Sequence, residues 1–118
     1  MDISSDRKRQ LKAEYRLMKP DMGVLAVICR GNSRHYVEAS SDVRSRINRI
    51  ELQLSMGMHP NKQLQRDWQA MGQGSFEIKV LEKLEYSRNE SKTDYGEDLS
   101  VLKSIWVERL IQQGIEIY

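Results

Sequence analysis

The sequence has few of the features that would cross-link a chain or anchor it in a membrane. Its only cysteine is Cys29, which excludes an internal disulfide and favours a reducing compartment. No apolar run approaches the roughly 20 residues of a membrane span. The first residues also lack the apolar segment of a secretory signal. We therefore expect a soluble, cytoplasmic protein with no membrane partner.

Net charge is also small, at +2, and by itself indicates no nucleic-acid partner. Its distribution is uneven, because residues 1–66 carry 13 Lys and Arg against 7 Asp and Glu, whereas residues 67–118 carry 6 against 10. A basic half can face a polyanion. An unevenly charged, solvated surface explains the same pattern, so the charge alone leaves both interpretations open.

The hydrophobic patterns predict one small α+β domain, since 118 residues suffice for a single core. Strands are predicted where apolar residues run together or alternate, and helices where they recur every three or four residues. The strands are expected at 24–29, 35–39 and 76–80, and the helices at 5–18, 43–54, about 60–71 and 97–113. This order, αββααβα, indicates a three-stranded, mainly antiparallel sheet flanked by helices, with an N-terminal helix before it.

Two basic residues interrupt the apolar faces of the predicted helices. Lys103 lies at helical spacing from Trp106, and Arg46 lies between Val43 and Ile50. A charge on an inward face costs several kcal/mol unless it is paired or reaches water. A long side chain can bury its stem and keep its head wet, which is the simpler explanation for either residue alone. Together they predict a cleft with a cationic floor.

Several segments resemble a GIY-YIG endonuclease domain. They are Gly23 before the apolar strand, Tyr36-Val37 on the second strand, Arg46 on the next helix, HPNKQLQ at 59–65 and FEIKVLE at 76–82. The resemblance extends from Gly23 to about Leu110, and the glycine-to-tyrosine, tyrosine-to-arginine and arginine-to-histidine spacings fit the phage homing endonucleases of that family. It implies a GIY-YIG-like domain over 21–118, preceded by a helical extension over 1–20.

By resemblance, such enzymes cut a phosphodiester bond with one divalent metal ion. The first motif's tyrosine helps to activate water, a second tyrosine supports the site, an arginine steadies the phosphate, and a glutamate on the last helix binds the metal. Tyr36, Arg46 and His59 match catalytic positions of the family. Leu25 stands where the first tyrosine is expected, and Lys103 stands where the metal-binding glutamate is expected.

These two substitutions predict a degenerate site. Leu25 cannot hold a proton, and the ammonium group of Lys103 cannot ligate Mg²⁺ or Mn²⁺. Glu38 replaces the second motif's glycine, where its carboxylate would repel a phosphate or could substitute as a metal ligand. We therefore expect a non-catalytic, nuclease-like domain without a cofactor, in which Arg46 and Lys103 bind the phosphate of DNA, another nucleic acid or another ligand. The alternatives are a protein-interaction module with a vestigial cleft and an active, metal-dependent DNA endonuclease with a rebuilt site.

Overall fold

A three-stranded antiparallel sheet lies at the centre of the fold in the computed structural model, which describes residues 19–118. The strands are β1 (Met22–Cys29), β2 (His35–Ser40) and β3 (Phe76–Leu84), in the order β2-β1-β3. The helices are α1 (Val43–Ser55), α2 (Lys62–Met71) and α3 (Gly96–Gln112). The predicted α+β class and sheet are confirmed. The predicted helix over 5–18 lies outside the described residues.

The central strand β1 is covered on both faces, as its unbroken apolar run predicts. On one face its side chains pack against α1 and α2, in a core that includes Leu25, Val27, Cys29, Val43, Ile50, Leu54, Leu64, Trp68 and Phe76. On the other face Val24 and Val37 pack with Leu110 of α3. The α1–α2 layer and α3 therefore lie on opposite sides of the sheet.

Gly23 lies where β1 and β3 approach each other most closely. A Cβ atom at this position would lie 2.1 Å from the carbonyl oxygen of Glu82 and 2.8 Å from the Cα atom of Lys83. The register between the two strands shifts between Val24 and Leu25, immediately after this contact. The first glycine of the motif thus has a structural role, because only a residue without a side chain fits between the two backbones.

Side-chain caps fix where the two helices of the α1–α2 layer begin. The Asp42 carboxylate accepts a hydrogen bond from the Ser45 backbone N–H at 3.1 Å, and the Asn61 side chain accepts one from Leu64 at 3.0 Å. Because β2 ends at Ser40, the cap at Asp42 turns the chain into α1 within two residues. Arg46 consequently lies in the first turns of α1, near β2.

The last three residues pair with His35, the first residue of β2, on the outer edge of that strand. The His35 N–H donates to Glu116, and the Tyr118 N–H donates back to His35, which forms a parallel bridge around Ile117. The Tyr118 hydroxyl also donates to Asp67 at 2.6 Å. This segment therefore joins β2 to α2. Among residues 19–118, no helix is both long enough and apolar enough to cross a membrane.

Candidate functional site

Tyr36 and Glu38 lie two residues apart on β2 and therefore project from the same face of the sheet, toward α1. Arg46 of α1 meets them there. Its Nε donates to Glu38 Oε1 at 2.5 Å, and its Nη2 donates to Glu38 Oε2 at 3.2 Å. The Tyr36 hydroxyl donates to Glu38 Oε2 at 2.9 Å. One carboxylate thus accepts hydrogen bonds from the guanidinium and from the phenol.

This contact is mostly buried, with side-chain exposures of 24% for Arg46 and 19% for Glu38. The hydrogen bond to Glu38 raises the pKa of Arg46 further. Burial, followed by the hydrogen bond to Glu38, raises the pKa of Tyr36 to about 12. A phenol with this pKa keeps its proton at neutral pH, so Tyr36 is poorly suited to act as a base.

His59 packs against Tyr36, with ring centroids 5.0 Å apart and ring planes at 89°. Its backbone is held by Gln65, whose side chain accepts from the His59 N–H at 2.9 Å and donates to the Leu54 carbonyl at 2.9 Å. His59 Nδ1 accepts from the Asn61 N–H at 3.1 Å, which assigns the proton of the neutral ring to Nε2. Burial lowers the pKa of His59 and favours this neutral form.

Leu25 lies opposite Glu38 in the β1–β2 ladder, and its side chain is fully buried in the core beneath α1. It contributes packing and no polar atom at the position where the resemblance implies a tyrosine. Leu25 therefore lacks the hydroxyl that the resemblance implies, and its side chain is also completely excluded from solvent.

Lys103 occupies a different place from the one predicted. It is exposed on α3, on the opposite side of the sheet from α1, because α3 turns Leu99, Leu102 and Leu110 toward the sheet. It lines a cleft of about 680 Å³ together with Glu38, but Arg46 is not part of that lining. The prediction that Lys103 faces inward is therefore wrong, because its side chain is exposed. That it shares one cationic cleft with Arg46 stays a prediction. Whether either residue binds a phosphate stays a prediction.

Two solved structures that match this chain are catalytic domains of an endonuclease. The catalytic domain of homing endonuclease I-TevI matches with a TM-score of 0.64 and 21% sequence identity, over 80% of this chain and 94% of that chain. A mutant of the catalytic domain of intron endonuclease I-TevI matches with a TM-score of 0.63 and 22% identity, over 81% and 90%. The chain has the GIY-YIG nuclease fold. No protein-family model and no curated protein matches the sequence.

The GIY-YIG fold brings Tyr36, Arg46 and His59 together, but the donor set does not fit the divalent metal ion that the resemblance implies. Lys103 offers only N–H donors. Both oxygens of Glu38 are engaged by Arg46 and Tyr36. Among residues 19–118, no group of three or more histidine, cysteine, aspartate or glutamate residues could hold a metal ion. The side chains of this site therefore do not support hydrolysis through a bound metal ion.

The part that Glu38 plays in this GIY-YIG fold was not predicted from the sequence. Its carboxylate was expected to repel phosphate or to substitute as a metal ligand, whereas in the structure it accepts hydrogen bonds from both Tyr36 and Arg46. The two-residue spacing on one strand was the available signal, since it places Tyr36 and Glu38 on one face. The sequence places Arg46 among the apolar residues of α1 but does not reveal that its guanidinium reaches Glu38.

The Tyr36 phenol should ionise at a higher pH than an ordinary tyrosine. Its pKa is raised to about 12 in the folded protein, against about 10 in an unfolded chain. The folded state thus holds the proton more tightly. The resulting stabilisation is fully present below pH 10 and is lost as the pH rises through 12. Denaturation with urea at several pH values should show a decline in stability across this window. The Tyr36→Phe variant should show a smaller one, and equal declines would contradict the assignment.

Proposed function

We propose that this chain is a non-catalytic domain of the GIY-YIG fold that binds nucleic acid through its α1–α2 layer. One observation carries the proposal. On the face of the sheet that this layer covers, the Arg46 guanidinium and the Tyr36 hydroxyl are both bound to the Glu38 carboxylate instead of being available for chemistry. The solved structures that share the fold are catalytic domains of an endonuclease, which supports a nucleic acid as the partner.

The side chains of the site support the absence of catalysis. Hydrolysis of a phosphodiester needs an activated water and a group that offsets the extra negative charge of the transition state. Tyr36 is protonated at neutral pH, the side chain of Leu25 has no polar atom, and the Lys103 ammonium has only N–H donors and cannot hold a metal ion. Arg46 is the one cation of the site among the described residues, and the Glu38 carboxylate offsets its charge.

The charge of the helix layers supports the binding surface. Helices α1 and α2 carry five basic residues, Arg44, Arg46, Arg49, Lys62 and Arg66, against the acidic Glu51 and Asp67. Helix α3 carries three acidic residues, Glu97, Asp98 and Glu108, against Lys103 and Arg109. Arg49 is exposed and lies three residues after Arg46, on the same side of α1. The basic excess is thus on the layer that contains the site.

Binding to a duplex should depend on salt and on the basic residues of this layer. We expect a fluorescently labelled DNA duplex to bind at low salt, with an affinity that falls as salt rises because phosphate contacts release counterions. The Arg49→Gln, Lys62→Gln double variant should bind more weakly and show a slope reduced by about 2. The control is Arg88→Gln, which removes one positive charge from the exposed loop before α3 and should leave the slope near the wild-type value. Fluorescence anisotropy at four salt concentrations measures both quantities.

Plasmid DNA incubated with the same protein and Mg²⁺ or Mn²⁺ should remain intact. Cutting by the purified protein that disappears in Arg46→Ala would contradict the non-catalytic proposal and favour the rebuilt endonuclease. Absence of any duplex or single-strand binding at low salt would contradict the nucleic-acid proposal. The remaining interpretation would then be a protein-interaction module with a vestigial cleft.

A further inference from the structure

We propose that Arg46 and Tyr36 form an anion site that the Glu38 carboxylate keeps closed, and that a phosphate group binds there when this carboxylate is removed. The inference goes beyond the proposed function, because it concerns an internal ligand and holds whether or not the domain binds nucleic acid. It also differs from the predicted Arg46–Lys103 site, since Lys103 has no part in it.

The hydrogen-bond donors around Glu38 have a geometry that also suits a phosphate. Two N–H groups of the Arg46 guanidinium reach the two carboxylate oxygens, at 2.5 Å and 3.2 Å. The Tyr36 hydroxyl reaches one of the same oxygens at 2.9 Å. A guanidinium binds the paired oxygens of a carboxylate and those of a phosphate with the same two-pronged geometry. The hydrogen-bond donors that bind the Glu38 carboxylate are therefore also suited to a phosphate that lies in its place.

The same cluster contains a hydrogen-bond donor that the Glu38 carboxylate does not use. His59 is only 5% exposed, and its Nε2 has no hydrogen-bond partner in the described part of the chain. Its ring lies against Tyr36, whose hydroxyl already donates to Glu38. A buried donor without a partner costs about 1–3 kcal/mol. A phosphate has more acceptor oxygens than a carboxylate, so it can accept a further hydrogen bond from this cluster.

The chain itself keeps this anion site closed in the wild-type protein. Glu38 is on the rigid strand β2, and Arg46 is on the first turns of α1, so the chain itself holds the carboxylate beside the guanidinium. A tethered group competes at a high effective concentration against a free ligand. Millimolar phosphate should consequently displace it poorly. Removing the carboxylate leaves the mostly buried Arg46 guanidinium without its counter-charge. Because an unpaired buried charge is unfavourable, this favours the binding of an anion.

Titration with inorganic phosphate tests the proposal directly. The variants are Glu38→Gln, which keeps the shape of the side chain, and Glu38→Ala, which opens space beside Arg46. Each is compared with wild type by calorimetry and by thermal melting, with chloride at equal ionic strength as the reference. We expect both variants to bind phosphate at least about tenfold more tightly than wild type and to melt at a higher temperature in phosphate.

Two controls separate a site at Arg46 from a general effect of charge. Glu77→Ala removes a negative charge from strand β3, at a residue with no ion pair in the described structure, and should leave phosphate binding at the wild-type level. The Glu38→Ala, Arg46→Met double variant removes both charges and should lose the gained affinity. The Nε–H signal of Arg46 in an NMR spectrum of Glu38→Gln should shift on addition of phosphate.

The outcomes are distinct. A folded Glu38→Gln variant with wild-type phosphate affinity would overturn the proposal, and so would an equal gain in Glu77→Ala. If Glu38→Ala is unfolded in chloride, phosphate should restore its circular dichroism spectrum, and failure to do so would also count against the site. Because the probe is inorganic phosphate, a failure of duplex binding by the wild type has no bearing on these results.

Discussion

Replacing Gly23 by alanine is expected to destabilise the fold by about 3 kcal/mol or more. The added Cβ atom would lie 2.1 Å from the Glu82 carbonyl oxygen and 2.8 Å from the Lys83 Cα atom, and both atoms belong to the backbone of β3. Backbone atoms in a paired strand cannot rotate away as the end of a flexible side chain can. The β1–β3 ladder must therefore separate locally and lose hydrogen bonds. Equilibrium denaturation with urea measures the loss.

Gly74→Ala is the matched control for this substitution. A Cβ atom at Gly74 would meet no atom within 4 Å, and the backbone there has no positive φ. Its effect should remain within about 0.5 kcal/mol of wild type. Equal stability of Gly23→Ala and Gly74→Ala would show that β1 and β3 are not as close at Gly23 as described here.

Replacing Arg46 by methionine should cost about 3 kcal/mol of unfolding free energy. The methionine retains the apolar stem but leaves the Glu38 carboxylate without its counter-charge, in a place where only 19% of that side chain is exposed. The loss of two charge-assisted hydrogen bonds adds to this cost. Lys83→Met is the comparison, because the Lys83–Asp21 ion pair is 63% exposed on both sides. That variant should lose less than about 1 kcal/mol.

A double-mutant cycle with Glu38→Gln isolates the interaction itself. The double variant Glu38→Gln, Arg46→Met no longer buries a lone charge, so it should be more stable than Arg46→Met alone. Simple addition of the two single effects would mean that the two side chains do not interact in solution. It would also remove the basis for a closed anion site.

The fold was predictable from the sequence because its signals are local. The apolar run of β1, the turn at 31–33 and the caps before α1 and α2 each act over a few residues, and the structure has the corresponding elements. Strand β3 extends to Leu84, four residues beyond the predicted end, because pairing with Met22 and its neighbours continues past the alternating segment. Such an extension depends on the partner strand and leaves no mark in the local pattern.

The candidate site was predictable only in part. The motif spacings located Tyr36, Arg46 and His59, which do meet in space. The pairing of Arg46 with Glu38 depends on which way α1 faces across β2, and that is decided by tertiary packing. The inward orientation of Lys103 was wrong for a related reason. A helical wheel places Lys103 inside the apolar stripe, and only contact with the sheet decides that Leu102 turns inward while Lys103 stays exposed.

The pairing of the C-terminal residues with β2 has a consequence for self-association. An edge strand with free backbone groups can template aggregation with another molecule, and β2 is one edge of this sheet. The parallel bridge at Ile117 occupies part of that edge. The opposite edge, β3, carries the exposed charges of Lys79, Glu82 and Lys83, which oppose docking of a second strand. The β3 edge and the first residue of β2 are thereby less available for the strand-to-strand growth that leads to fibrils.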